Sequence, residues 1–256
     1  MKSQKDGKSG VYTDASALLD HGRNQKKTVS YATFCCEKDK DRAHENFLAH
    51  FQSHNFTFDE VFFVHQRCKT VPIKVLTGVK AYWQPWIMDS DYPEILSAFG
   101  IPYPDPVLDE LTHGWGAPHF WAHHCVNHLK ACLEATSEYI VFADADCYMK
   151  DQPEGKSWID EGIRILESDP HAFVVSPNDG GPGRAERIMS QQMFLVRRSA
   201  LRNMTMIPWD GKFIEGGPFQ EYFGLLEGRI GRFMEANNLY RYVLPPEFRY
   251  YHLQWH

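Results

Sequence analysis

The run EYIVFADADCYM, residues 138–149, leads through four apolar residues and an alanine into two aspartates, Asp144 and Asp146, one residue apart. An aspartate that ends a strand often accepts backbone hydrogen bonds of the following turn. That is one reading of this pair. The other starts from charge: two carboxylates this close repel unless something positive lies beside them. A divalent cation answers that need, because hard cations take carboxylate oxygens and keep positions open for water and substrate phosphates. The uninterrupted apolar run predicts a strand covered on both faces of a parallel sheet. Ligand sites in open α/β sheets lie at the carboxyl ends of such strands.

Other groups with chemical potential lie elsewhere. The segment HFWAHHCVNH offers His119, His123, His124 and His128, with i, i+4 pairs on one helix. Such a pair can bind zinc, and Cys125 or Cys132 could add sulfur. No glutamate occupies the catalytic place of HExxH, however, so a zinc hydrolase on the His119–His128 helix is the weaker alternative. NDGGPGRAER, residues 178–187, is a glycine loop without the GxxxxGK[ST] pattern of a phosphate cradle. It reads as a loop able to close over the aspartate pair. Trp83, Trp86, Trp115 and Trp209 fall in segments without periodicity, where indole can stack on a sugar or fill core.

These side chains need a scaffold. The chain has 256 residues, 43% hydrophobic and 14% aromatic, with net charge −6. That is enough for one sizeable core and gives no global pull toward nucleic acid or anionic membrane. Residues 1–26 are polar and lysine-rich, without the apolar stretch of a secretory signal, and predict a mobile arm. Residues 27–256 predict a single domain. Six cysteines without a CxxC pair favour a reducing, cytoplasmic setting.

TVSYATFCC predicts a first strand, and KDKDRAHENFLAHFQS a helix with apolar spacing at Phe47, Leu48 and Phe51. DEVFFVHQ reads as a second strand and PIKVLTG as a third. Tyr82–Gly116, rich in proline and aromatics, predicts irregular chain. A long helix over 117–136 feeds the acidic strand. SWIDEGIRILESDP is an amphipathic helix stopped by Pro170, AFVVSP another strand, and QMFLVRRSAL a strand running into a turn or helix. Strands alternating with helices predict an α/β sandwich with a largely parallel sheet.

With these elements in order, three stretches resemble glycosyltransferases of the GT-A fold, family 2-like members in particular. SEYIVFADADCYM resembles their strand ending in Asp-x-Asp. SQQMFLVRRSAL is similar to the strand after the metal site, and EGGPFQEYFGLLEGRIGRFMEANNLYRYVLPPEFRYYH to the closing portion of the domain. The resemblance covers about residues 116–252 and implies a Rossmann-like α/β/α sandwich. It implies transfer of a sugar from a nucleotide-diphosphate donor, a UDP-sugar foremost, to an acceptor hydroxyl, with inversion. The acceptor class stays open: saccharide, glycolipid, protein or modified nucleic-acid base. A catalytically silent sugar- or nucleotide-binding module of the same fold is the alternative.

The resemblance also assigns roles. Asp146 first and Asp144 second would hold Mn²⁺ or Mg²⁺, with Asp144 also facing the donor. A histidine near the domain's end completes the shell, either His252 or its neighbour His256, and imidazole suits Mn²⁺ better than Mg²⁺. Glu221 matches the acceptor-activating base after the double glycine Gly216–Gly217, with Glu215 in reserve. Tyr222 replaces the acid that usually follows. Gly216 and Gly217 would let backbone approach the donor sugar, Arg229 or Arg232 would face its phosphates, and Thr33 and Glu37 would contact the base or ribose.

Overall fold

The computed structural model describes residues 27–36, 40–66, 81–83, 85–105, 109, 120–178, 192–204 and 226–252. Among them, β1 (Val29–Cys36), β2 (Glu60–Gln66), β3 (Ala81–Trp83), β4 (Trp86–Ile87), β5 (Tyr139–Ala143), β7 (Ala172–Ser176), β8 (Met193–Arg197) and β9 (Tyr240–Val243) form one sheet. Its order is β3-β2-β1-β5-β8-β7-β9, with β4 also on β2. All its pairings are parallel except the two made by β8, which runs against β5 and β7. Two further strands, β6 (Cys147–Asp151) and β10 (Arg249–His252), make a separate antiparallel ribbon.

Helices cover both faces of the sheet. On one side α2 (Tyr92–Ser97), α3 (Phe120–Glu134), α5 (Arg198–Asn203) and α6 (Leu226–Ala236) bury Leu96, Leu129, Leu201 and Ile230 against Phe62, Ile140, Phe142 and Phe194. On the other, α1 (Lys40–Ser53), α4 (Trp158–Ser168) and the ribbon bury Phe47, Trp158, Ile159 and Tyr250 against Tyr31, Phe63, Val141 and Leu195. The chain is thus an α/β/α sandwich with a mostly parallel central sheet. Because side chains alternate along a strand, consecutive residues of β5 feed opposite cores, which is why its sequence is apolar throughout.

Local signals explain the elements that frame the site. Ser157 caps α4 by accepting from the Ile159 amide at 3.2 Å, and Asp160 and Glu161 in the first turn suit the positive end of the helix. A Cβ on Gly162 would meet Leu195 Cδ2 at 2.7 Å, so any larger residue here would have to push that side chain aside. At the amino-terminal end of β2, the Glu60 carboxylate ties β2 to β1 and to the turn before β5. It accepts from the Ser30 hydroxyl at 2.6 Å, the Thr136 amide and hydroxyl at 2.9 and 2.8 Å, and the Ser137 amide and hydroxyl at 3.2 and 3.0 Å.

One expectation is corrected. The segment expected to be irregular from Tyr82 contains β-structure at Ala81–Trp83 and Trp86–Ile87, then a 3-10 turn at Asp89–Asp91 and α2. Pro93 lies in the first turn of α2, where its missing N–H costs nothing, so the prolines here start a helix as well as interrupt one. PIKVLTG and the polar arm 1–26 lie outside the described residues.

Candidate functional site

Asp144 leaves the carboxyl end of β5, between β1 and β8 in the sheet. Its amide donates to the Gln192 carbonyl at 2.7 Å, and its carbonyl accepts from the Cys147 amide at 3.0 Å. Those two bonds close a turn that carries Ala145 and Asp146 before β6 begins. The aspartate pair thus stands in a turn, at the end of a strand, that is closed by backbone hydrogen bonds.

The partner for this turn comes from the far end of the chain. β9 runs parallel to β7, and the Leu244 amide donates to the Ser176 carbonyl at 2.9 Å. After the Pro245–Pro246 turn, Asn178 takes hold: its amide donates to the Phe248 carbonyl at 2.7 Å, and its carbonyl accepts from the Tyr250 amide at 3.1 Å. β10 then pairs with β6 so that His252 lies opposite Cys147 and Tyr251 opposite Tyr148. That register delivers His252 Nε2 to 2.9 Å from Asp146 Oδ2. Asp144, Asp146, Cys147 and His252 each offer a ligand atom, and these atoms lie within 4.8 Å of one another.

The electrostatics follow from this geometry. The hydrogen bond to Asp146 raises the His252 pKa above the usual imidazole value, against the opposing effect of burial. Gln192, whose backbone holds Asp144, also brings its side-chain amide 3.1 Å from His252 Nδ1 and accepts from the Tyr250 hydroxyl at 3.0 Å. The amide nitrogen faces Nδ1 in this rotamer; a metal on Nε2 requires the amide turned so that its oxygen accepts from Nδ1–H, as outer partners of metal-bound histidines do, with the Tyr250 hydroxyl then accepting from the nitrogen. Burial, reinforced by Asp144 and Asp146, pushes the Cys147 thiol well above its ordinary range. A protonated sulfur is a poor ligand for a hard cation, so two carboxylates and one imidazole are the groups here that could hold one. The side chains of His252 and Asp146 keep 31% and 21% exposure, so an ion can reach them.

The ribbon's other face carries Tyr148 and Tyr251, with ring centroids 5.8 Å apart. The Lys150 ammonium lies 4.5 Å and the Arg249 guanidinium 5.6 Å from the Tyr251 centroid. His50, in the last turn of α1, stacks on Tyr148 at 5.7 Å. A separate open cavity of about 700 Å³ between α1 and α4, lined in part by Lys27, Phe56 and Asp160, includes none of the four donor residues.

The other expected site residues are scattered. Thr33 is fully buried in the middle of β1, paired with Phe63 of β2. Arg229 on α6 lies beside Cys125 of α3 and feels Asp105; burial lowers its pKa. Arg232 donates to Glu235 on its own helix at 3.3 Å. Glu37, Glu215, Gly216, Gly217, Glu221, Tyr222 and His256 lie outside the described residues, as do Trp115 and Trp209. On the histidine helix, His128 is enclosed by Phe34, Phe142 and Phe194, and His123 Nδ1 lies 2.5 Å from the Tyr92 hydroxyl. Burial holds Cys125 up at about 11 and Cys132 at about 12, so both are thiols. Among the described residues the structure assembles no metal group on this helix.

Sequence reasoning missed β6, Gln192, Tyr250 and Cys147 as members of the site. The alternation in CYMKD, with Cys147 and Met149 buried and Lys150 exposed, is a period-2 signal that could have revealed β6. Nothing in the sequence around Gln192 distinguishes it.

No family model and no curated protein matches this chain. Solved structures do. S. aureus TarS 1-349 aligns with a TM-score of 0.49 at 13% identity over 88% of this chain and 60% of its own. The same protein in complex with UDP aligns with a TM-score of 0.49 at 14% identity over the same shares. S. aureus TarS aligns with a TM-score of 0.48 at 14% identity, over 88% of this chain and 36% of its own. The chain thus spans less than two thirds of the length of each of these proteins.

Proposed function

We propose that this chain is a metal-dependent glycosyltransferase of the GT-A kind, moving a sugar from a nucleotide-diphosphate donor, a UDP-sugar, to an acceptor hydroxyl with inversion. One observation carries the reading: His252 Nε2 meets Asp146 Oδ2 at 2.9 Å, beside Asp144, at the carboxyl end of a buried parallel strand. The three residues that the family resemblance joins are brought together by strand pairing.

Asp146, Asp144 and His252 would hold the cation, and Gln192 with Tyr250 would fix the His252 ring. A bound Mn²⁺ or Mg²⁺ supplies Lewis-acid neutralisation of the departing diphosphate. Asp144 would also face the donor. Glu221 would take the acceptor proton, the one general base an inverting transfer needs when the leaving group requires no acid. Gly216 and Gly217 would let backbone approach the sugar; Thr33, Glu37 and Arg229 are the proposed contacts to the nucleotide. Residues 27–256 would form the working domain, in a reducing cytoplasm. No helix among the described residues is long and apolar enough to cross a membrane.

The test is thermal stabilisation by UDP with and without Mn²⁺, since a ligand that binds only the native state raises its melting temperature. Stabilisation that needs both components supports the reading, and UDP that acts equally without metal removes metal dependence from it. Turnover of a UDP-sugar then separates an enzyme from a silent binding module.

A further inference from the structure

Cys147 is the one donor in the cluster that the proposed transfer does not use. Its side chain is fully buried, and its Sγ lies 3.9 Å from Asp146 Oδ1. The same sulfur falls within the 4.8 Å group formed with the ligand atoms of Asp144, Asp146 and His252. Two oxygens, one nitrogen and one sulfur make the mixed set that zinc takes in tetrahedral sites, with bonds of about 2.0–2.3 Å that place ligand atoms about 3.5 Å apart. His252 Nε2 lies 2.9 Å from Asp146 Oδ2 and Cys147 Sγ lies 3.9 Å from Asp146 Oδ1, so the two oxygens of one carboxylate reach both partners, and the ligand atoms of all four residues lie within 4.8 Å of one another. Strand register holds Cys147 opposite His252, so small side-chain movements suffice to close the shell.

We infer that Asp144, Asp146, Cys147 and His252 form a closed four-ligand site for a borderline-soft divalent cation, zinc or cadmium, and that its occupation excludes manganese and the donor. The inference deepens the reading above and rests on its ligand set. Forming the metal–sulfur bond sends the thiol proton to solvent, as metal binding to cysteine does generally. Four protein ligands complete a tetrahedral shell, leaving no position for a diphosphate oxygen. A hard cation held by only three of them keeps such positions open. The sulfur thus gives the site a second, mutually exclusive occupant and makes zinc an inhibitor.

The experiment titrates the full chain with Cd²⁺ and follows the thiolate-to-metal charge-transfer absorbance, with Mn²⁺ occupancy read separately by electron paramagnetic resonance. The parent should develop the band at one equivalent, and zinc should release bound Mn²⁺ in proportion to its own uptake. Cys147→Ser should lose the band and more than about tenfold in zinc affinity, since losing even an outer-shell partner costs about 10–100-fold. Asp146→Ala and His252→Ala, which keep the thiol, should weaken the band as well, so the answer does not depend on Cys147→Ser folding. A parent without the band, or a band unchanged in Cys147→Ser or in both other variants, overturns the inference. Cadmium binding through Cys147 without manganese-dependent UDP stabilisation sinks the transferase reading alone, and the opposite pattern sinks this inference alone.

Discussion

Gln192 and His252 are joined at 3.1 Å through the glutamine side-chain amide and imidazole Nδ1, while the Gln192 carbonyl receives the Asp144 amide at 2.7 Å. One residue, entering β8, thus touches both halves of the candidate metal group. Gln192→Ala is expected to weaken Mn²⁺ binding by about 10–100-fold, the usual loss when an outer partner of a metal-bound histidine is removed. The backbone bond to Asp144 survives that substitution, so the melting temperature should change little. Manganese titration by calorimetry beside a thermal melt measures both; unchanged affinity would remove Gln192 from the site.

Asp146→Ala is expected to abolish manganese-dependent stabilisation by UDP while leaving the metal-free fold intact, because the residue stands in a turn beyond β5 and is only half buried. His252→Ala should cost more Mn²⁺ affinity than Mg²⁺ affinity, since Mg²⁺ prefers an all-oxygen shell. Parallel titrations with the two ions decide it; equal losses would assign His252 to packing of β10 against β6.

Glu221→Gln keeps size and polarity but cannot accept a proton. If Glu221 is the base, kcat falls by about 10²- to 10⁴-fold with donor affinity nearly unchanged. Lost donor binding would place Glu221 among the sugar contacts, and undiminished turnover would pass the role to Glu215.

Acid should destabilise the protein in part through His54. Its ring is fully buried, accepts from Trp158 Nε1 at 3.0 Å, and has its pKa lowered by burial to about 3. The unfolded chain binds this proton near pH 6.5 and the folded chain does not. The neutral ring's contribution is therefore full above about pH 6.5 and is lost as pH falls from there toward about 3, by up to about 1.4 kcal/mol per pH unit. Denaturant unfolding at pH 7, 6 and 5 should show a shallower decline in His54→Asn than in the parent. Equal slopes would mean that His54 takes up its proton without unfolding.

Glu60→Ala removes the acceptor of five hydrogen bonds from Ser30, Thr136 and Ser137. Burial works to raise the Glu60 pKa, but these bonds prevail and hold it below the usual carboxylate value. Its contribution is thus present above the unfolded pKa and is lost as pH falls through the folded one. A loss of about 1–3 kcal/mol at pH 7 is expected, toward the low end because the group is partly solvated. Metal and UDP binding should persist, because Glu60 starts β2, at the end of the parallel strands opposite the aspartate turn. Loss of ligand binding in a folded variant would count against that separation.

Much of the scaffold was legible in local pattern. β1, β2, β5, β7 and β8 fall within the runs expected to be strands, and α1, α3 and α4 within the expected helices. An apolar run bounded by turn residues encodes burial on both faces without help from distant chain. The acidic pair was legible for the same reason, since both aspartates and the strand that presents them lie in one short segment. What failed was local too: the proline-rich stretch after Tyr82 hides α2, because a proline in the first turn of a helix looks like a breaker when its neighbours are unknown.

By itself the sequence determined an alternating α/β chain, a buried strand ending on Asp144 and Asp146, and a choice of two histidines near its end. Only the tertiary structure put His252 against Asp146. That meeting depends on β9 running beside β7, on Asn178 holding the chain after Pro246, and on the register of β10 against β6. Gln192 and Cys147 joined the group the same way, through contacts whose partners lie on other strands. Periodicity records which face of an element is buried, because burial acts on each residue singly. A ligand cluster is set by pairwise distances between segments remote in sequence, and those exist only once the strands are in register.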